Sequence, residues 1–413
     1  MPEFIEKRKI MEKPEERTGV YCFIFETDNA GSLLKFYSYI KRSDTTEISY
    51  IQFSNDGGKT WSEPKTVITG QKTTYGTLRY YFRNSIIHKN RLISMKIKGL
   101  LPTDDPLEGL KHWSTWYTVS EDGGKNNIIE DQVILEGKDF NKEHPVPGVW
   151  AGKNSLMMGD RTELPIITKY QQNPDENELI LLPVQITPIG DDGCYYNPGG
   201  GYTYHYSAVI HGMILPDGHI NWFYMSDPVQ NDPSESTRGA IEPTIIELKD
   251  GRVLMVMRGS NGGIKDYECK IPSYRWYSIS YDGAKTFSAP KPWSYTDGMK
   301  FYSPSSCSQL MEHSNGRYYW LGNINSQNSR ANMPRNPLYI CEVDQDLLLL
   351  KKETLCIIAN VEEGQSQDTT FSNFYAREER NTGDILVYMT AFHADPKNIF
   401  GASAYEYRIG MNS

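Results

Sequence analysis

Glu242-Pro243-Thr244-Ile245-Ile246-Glu247-Leu248-Lys249-Asp250-Gly251-Arg252-Val253-Leu254-Met255-Val256-Met257-Arg258 is the stretch that decides the fold. Two β-branched and aliphatic runs flank Asp250-Gly251, a dipeptide that tolerates positive φ and so predicts a tight hairpin. A tight turn sets the first and last residues side by side. Glu242 and Arg258 therefore form a charged pair at the open end of an apolar hairpin. Such a pair is either a structural ion pair or part of a site.

The same strand–turn–strand pattern recurs outward from it. Copies run from Arg83 to Ile97, from Ser303 to Asn323 and from Phe371 to Thr390, with a longer, irregular one from Leu164 to Ile186. A second repeat is interleaved with the first. Ser54-Asn55-Asp56-Gly57-Gly58-Lys59-Thr60-Trp61 returns as Ser120-Glu121-Asp122-Gly123-Gly124-Lys125 and as Ser280-Tyr281-Asp282-Gly283-Ala284-Lys285-Thr286-Phe287. Each copy follows a strand-like run. The Asp carboxylate can accept backbone N–H groups of its own turn, and Gly supplies positive φ. The second copy lacks the Thr and the aromatic; the third has Ala284 for Gly and Phe287 for Trp. A decayed fourth copy is expected around Asp217-Gly218, with the Gly/Tyr-rich segment from Asp191 to Tyr206 as an insertion.

Repeats at this spacing predict an all-β chain of six four-stranded blades near 18–65, 73–138, 145–225, 235–295, 298–352 and 353–411. The composition agrees: 28 tyrosines and 34 glycines favour short strands and turns over helices. Residues 1–17 read as a charged, poorly ordered lead-in and 18–413 as one propeller domain. Closure is expected to combine an N-terminal strand with Ala404-Tyr405-Glu406-Tyr407-Arg408. The formal net charge of −9 argues against nucleic acid or an anionic membrane as the main partner. The charged N-terminus has no signal-peptide core, which points to the cytoplasm, or to a secreted or periplasmic protein whose leader was removed. Six cysteines without a CxxC pair read as reduced thiols, and no cofactor or metal is expected.

The clip resembles the Asp box of the sialidase superfamily, whose members are six-bladed propellers, and the hairpin resembles the segment of those enzymes that carries a Glu and, further on, an arginine. Here that interval is the sixteen positions from Glu242 to Arg258. The resemblance implies a structural role for the clips, on the face away from the site. It implies an arginine group for a substrate carboxylate, with Arg83, Arg258 and Arg335 as the matching positions and Arg330 second to Arg335. Guanidinium suits that task because its fork matches a carboxylate bidentately. Glu242 would polarise the nucleophile. The general acid would come from the acidic loop Gly99 to Glu108, with Asp105 taken ahead of Asp104 and Glu108. Where the resemblance calls for a tyrosine nucleophile the chain has Thr370-Phe371-Ser372-Asn373, and phenylalanine has no nucleophilic atom. Tyr302 and Tyr375 are the tyrosines nearest that position in the repeat pattern, and Tyr302 is taken as the catalytic candidate.

The expected activity is an exo-acting glycoside hydrolase that releases an acidic sugar (sialic, another ulosonic or uronic) from an anionic glycan. Two other readings stay open. One is a propeller lyase, in which a Tyr, His112 or His393 abstracts a proton; the other is a carbohydrate-binding propeller without turnover. Each site residue also has a plainer role open to it: Glu242 and Arg258 as a strand-end bridge, Arg83 and Arg335 as interblade bridges, Asp104 and Asp105 as turn formers.

Overall fold

A computed structural model describes residues 2–28, 30–43, 45–105, 113–134, 154–157, 164–170, 178–188 and 195–411. The chain opens with β1 (Pro2–Met11). The first blade follows as β2 (Gly19–Glu26), β3 (Leu33–Arg42), β4 (Thr45–Ser54) and β5 (Lys65–Thr69). The second is β6 (Gln71–Thr73), β7 (Gly76–His88), β8 (Arg91–Leu101), β9 (Trp113–Ser120) and β10 (Ile129–Gln132). The third comprises β11 (Asn154–Met157) and β12 (Ile166–Ile167), both paired to β13 (Leu179–Pro188), then β14 (Tyr206–Ile214) and β15 (Ile220–Met225).

The fourth blade is β16 (Ile241–Glu247), β17 (Val253–Arg258), β18 (Arg275–Ser280) and β19 (Lys291–Pro292). The fifth is β20 (Gln309–Glu312), β21 (Tyr318–Asn323), β22 (Leu338–Val343) and β23 (Cys356–Ala359). The sixth is β24 (Tyr375–Glu378), β25 (Ile385–Thr390) and β26 (Ala404–Met411), completed by β1. The expected six-bladed β-propeller is the observed architecture, and every strand pair within a blade is antiparallel. Among the described residues the only helix is a single 3-10 turn, Lys352–Thr354.

The ring closes through β1, whose Lys7 lies opposite Tyr407 and Arg8 opposite Glu406 in β26. Residues 2–11 are thus the outer strand of the sixth blade, a correction to the disordered lead-in that their charge suggests. An outer strand has one solvated edge and little apolar cover, so it needs no hydrophobic alternation to belong to a sheet. Arg8 bonds Glu406 at 2.9 Å, and the Lys7 ammonium lies 4.5 Å from the Tyr405 ring centre.

The core is divided into wedges between neighbouring blades. Ile246, Leu254, Trp293, Trp320 and Leu348 fill the wedge between blades four and five. There the Trp293 and Trp320 rings meet edge to face at 5.6 Å, and the Trp293 indole N–H donates to the Leu348 carbonyl at 2.8 Å. Phe23, Phe25, Tyr375 and Tyr388 fill the wedge across the closure. The strands β2, β16, β20 and β24 each end their sheet and pair with one neighbour only, so they form the inner edges of their blades around the central channel.

All three clips form at the link between third and fourth strands. Asp56 accepts the Thr60 N–H at 2.9 Å and the Thr60 hydroxyl at 2.5 Å, and Asp282 does the same for Thr286 at 2.9 and 2.6 Å. In the second copy Asn126 replaces the missing Thr, its side-chain amide donating to Asp122 at 2.7 Å. Ala284 adopts φ +67° where the other copies have glycine. Asp217-Gly218 occupies the same link of the third blade as a tight turn, with the Gly218 N–H on the Leu215 carbonyl at 2.9 Å. Because β18 runs from Arg275 down to Ser280, the clip that follows lies a strand length away from Arg275, at the opposite end of the channel.

Candidate functional site

The hairpin forms as its sequence indicates. The Gly251 N–H (φ +85°) donates to the Leu248 carbonyl at 2.8 Å, and the register runs from Glu247 opposite Val253 to Ile241 opposite Arg258. Between Ile241 and Thr244 the pairing slips. Pro243 has no N–H for the ladder, and Glu242 takes φ +49°, so the strand bulges there. The Glu242 N–H turns instead to the side-chain oxygen of Gln185 in the preceding blade, at 3.1 Å. The bulge lets Glu242 leave the alternation of its strand and meet Arg258, whose Nη1 donates to Oε2 at 2.5 Å. Both side chains are buried.

Three further guanidiniums surround this pair. Arg275 opens β18 directly across from Arg258 and is fully buried. Its Nη1 donates to the Ser306 carbonyl and its Nη2 to the Ser303 hydroxyl, both at 2.9 Å. Arg335 reaches in from the fifth blade. Nη2 meets the next carbonyl along, Ser305, at 3.2 Å, and Nη1 meets the Ser372 hydroxyl at 3.3 Å. Its backbone is pinned, because the Arg335 carbonyl accepts both the Phe371 N–H at 2.8 Å and the Asn323 side-chain amide at 3.0 Å. Arg238 precedes β16 and is half-buried; its Nε and Nη2 donate to the carbonyl and hydroxyl oxygens of Thr203, at 3.3 and 2.5 Å.

Burial, reinforced by the neighbouring Arg258, pushes Arg238 and Arg275 each down from 12.5 to about 9. Both stay protonated at neutral pH. The charges of Glu242 and Arg335 also act on Arg238. His205, buried among them, is pushed down to about 3 by burial and then by Arg238 and Arg258, and is neutral. His393 is pushed below its ordinary 6.5 by burial and by Arg335, and its buried Nδ1 has no partner among the described residues. Among the described residues the site is therefore a cationic floor with one carboxylate, Glu242, set into it.

The site residues expected from sequence are met unevenly. Glu242, Arg258 and Arg335 come together. Arg83 falls in the irregular stretch of β7 between Phe82 and Ser85, and its side chain lies outside the described residues, as do Glu108 and His112. Asp105 is exposed, so the burial that a proton donor at neutral pH requires would have to come from bound substrate. Its neighbour Asp104 is gripped by Arg79 through two bonds of 2.7 Å and by Arg42 at 2.9 Å. The Arg79 guanidinium holds the Asp104 carboxyl below its usual range, so this residue bridges strands. Tyr302 does not join Glu242. Its ring lies parallel to that of Tyr274 at 6.0 Å, and its backbone bridges to Tyr274 and Asn325. Phe371 is buried in the wedge between blades five and six, and Tyr375 packs on Phe25 at 4.5 Å. Neither reaches the channel with a hydroxyl.

Arg238, Arg275 and His205 are the members that the sequence reading missed. Arg275 had a signal: it opens the third strand of the blade whose second strand ends in Arg258. Arg238 sits in a loop with no periodicity to place it. Among the described residues no group of His, Cys, Asp and Glu could hold a metal ion, and no disulfide joins two of the five described cysteines; Cys194 lies outside the described residues.

No family model and no curated protein matches this chain. Solved structures do. A protein of unknown function from Dyadobacter fermentans superposes with a TM-score of 0.58 at 14% identity, over 98% of this chain and 99% of that one. The GH93 α-L-arabinofuranosidase of Fusarium graminearum, solved with arabinobiose, gives 0.50 at 14% identity, over 98% and 96%. The NanB sialidase from Streptococcus pneumoniae gives 0.46 at 13%, over 100% and 71%. The likeness to the first two of these is one of fold.

Proposed function

We propose that this protein is a glycoside hydrolase that removes an acidic sugar from a glycan. The observation that carries the reading is the buried Glu242–Arg258 pair set among Arg238, Arg275 and Arg335. The same fold in an arabinofuranosidase solved with a disaccharide supports a carbohydrate in the channel. Arginine forks suit a sugar carboxylate, and the exclusion of water from the buried floor strengthens that contact.

With Phe371 in the place of a tyrosine, attack by water is the mechanism consistent with the residues. Glu242 takes a proton from the water, the water oxygen bonds the anomeric carbon, and the glycosidic C–O bond breaks. The leaving oxygen receives a proton from the acidic rim loop, where Asp105 stands once substrate covers it. Sialyl, ketodeoxyoctonate and uronate-capped glycosides, each incubated with the protein and read by mass spectrometry, test the proposal. Release of the acidic sugar, reduced at least 100-fold in Glu242→Gln, is the expected result. Release of none of them refutes it. An unsaturated uronide absorbing in the ultraviolet would instead indicate elimination, for which His393 is the neutral base at hand.

A further inference from the structure

The charges around the channel floor do not balance for a substrate with one acid. Among the described residues Arg258 has a carboxylate partner, Glu242, while Arg238, Arg275 and Arg335 bond only neutral oxygens. Two donors in this group are buried and unused, Nε of Arg258 and Nε of Arg275. His205, being neutral, adds no charge that offsets theirs. The excess is local, because the chain as a whole carries −9. One carboxylate would bring the four guanidiniums and Glu242 only part of the way to neutrality. Buried charges left uncompensated are costly, so folds retain them where a ligand completes the set.

Arg238 is the member placed to reach a second acid. Nε and Nη2 are tied to Thr203, which leaves Nη1 without a partner among the described residues. Its guanidinium carbon lies 5.7 Å from the centre of the Tyr202 ring, and Tyr202 is 64% exposed at the rim. The backbone behind it is fixed. The Gly201 N–H donates to the Thr237 carbonyl at 3.3 Å, the Ile264 N–H to the Gly200 carbonyl at 2.9 Å, and a Cβ at Gly199 would lie 2.1 Å from the Thr237 oxygen. Arg238 thus bridges the floor, where it feels Glu242, Arg258 and Arg335, and an exposed aromatic face suited to a sugar ring. Arg275 is sealed from solvent and acts through its field rather than by contact.

We propose that this site takes a substrate bearing two anionic groups, one on Arg258 and Arg335 at the channel floor and the second on Arg238 beside Tyr202 at the rim. The inference rests on the acidic-glycan reading above and narrows it. The second acid is a carboxylate, sulfate or phosphate, on the same sugar or on its neighbour.

The test compares D-glucarate with D-gluconate, a dicarboxylate and a monocarboxylate on the same carbon chain, by isothermal titration calorimetry at constant low ionic strength. Glucarate should bind on the order of 10- to 100-fold more tightly, the increment of one further charge-assisted contact. Arg238→Gln should remove that preference, and Arg238→Lys should restore part of it. Equal affinity of the two ligands for the unmodified protein, or a preference that survives in Arg238→Gln, overturns this inference alone. Failure of both ligands to bind overturns the inference together with the acidic-glycan reading beneath it.

Discussion

Replacing Glu242 by Gln isolates the electrostatic design of the channel. The substitution keeps side-chain volume and one oxygen acceptor toward Arg258, and it demands nothing new of a backbone already at φ +49°. What it removes is the one negative charge that pairs with the arginine group among the described residues. The pair is 2.5 Å apart, with side-chain exposures of 6% and 9%. Unit charges about 4 Å apart attract by ~4 kcal/mol at an effective dielectric of ~20. Removing one partner of a buried pair costs about 3–5 kcal/mol, because the other stays behind unpaired. For a chain of 413 residues, ~2.1 cal/mol/K per residue gives an unfolding entropy of about 0.9 kcal/mol/K. The Tm should therefore fall by about 3–6 °C, read by differential scanning calorimetry at low salt. Added sulfate should recover more of the loss in the variant than it adds to the unmodified protein, since the variant floor is more positive. A Tm within about 1 °C of the parent, with or without sulfate, would show that solvent screens the pair and would remove the physical basis of the site.

Three further outcomes follow from other elements. His205 has its pKa lowered to about 3 in the folded protein against 6.5 unfolded, so the unfolded chain binds its proton first as pH falls. Its contribution is complete above pH 6.5 and is lost progressively toward pH 3, by about 2–3 kcal/mol at pH 4.5; His205→Gln should narrow its Tm gap to the parent between pH 7 and 4.5, and a gap that does not change with pH refutes this. Deleting Pro2–Met11 should abolish the cooperative calorimetric transition by stripping the outer strand from the sixth blade, and a near-parental Tm would contradict the closure described. Tyr302→Phe keeps the ring stack on Tyr274 and should retain turnover within about twofold on any substrate found; a 100-fold loss would return this hydroxyl to the chemistry.

The fold was legible because its signals are local and repeated. Asp-Gly and Asn-Gly turns, apolar strand pairs and the Asp clips each report a few residues of backbone, and their recurrence sets the blade count. The sequence reading placed Glu242 beside Arg258 because a tight hairpin fixes its own ends. It misread residues 2–11, because an outer strand carries its charges on solvent-facing positions and reads like a tail. It preferred Asp105 to Asp104 without access to Arg79, a partner 25 positions earlier. Arg238 was passed over for the same reason, since its place in the channel depends on how neighbouring blades and loops converge, whereas Arg275 was readable from the register of its own blade.

The sixth blade has a consequence for synthesis. Pro2–Met11 leaves the ribosome before Ala404–Met411, so this strand waits for the blades encoded between them before its partner exists. During that interval its backbone donors and acceptors are open to any neighbouring nascent chain. Glu3, Glu6, Lys7, Arg8 and Lys9 make such a pairing unfavourable, as charges do on natural sheet edges. The polarity that disguises this segment as a tail is what keeps it unattached until its own last strand arrives.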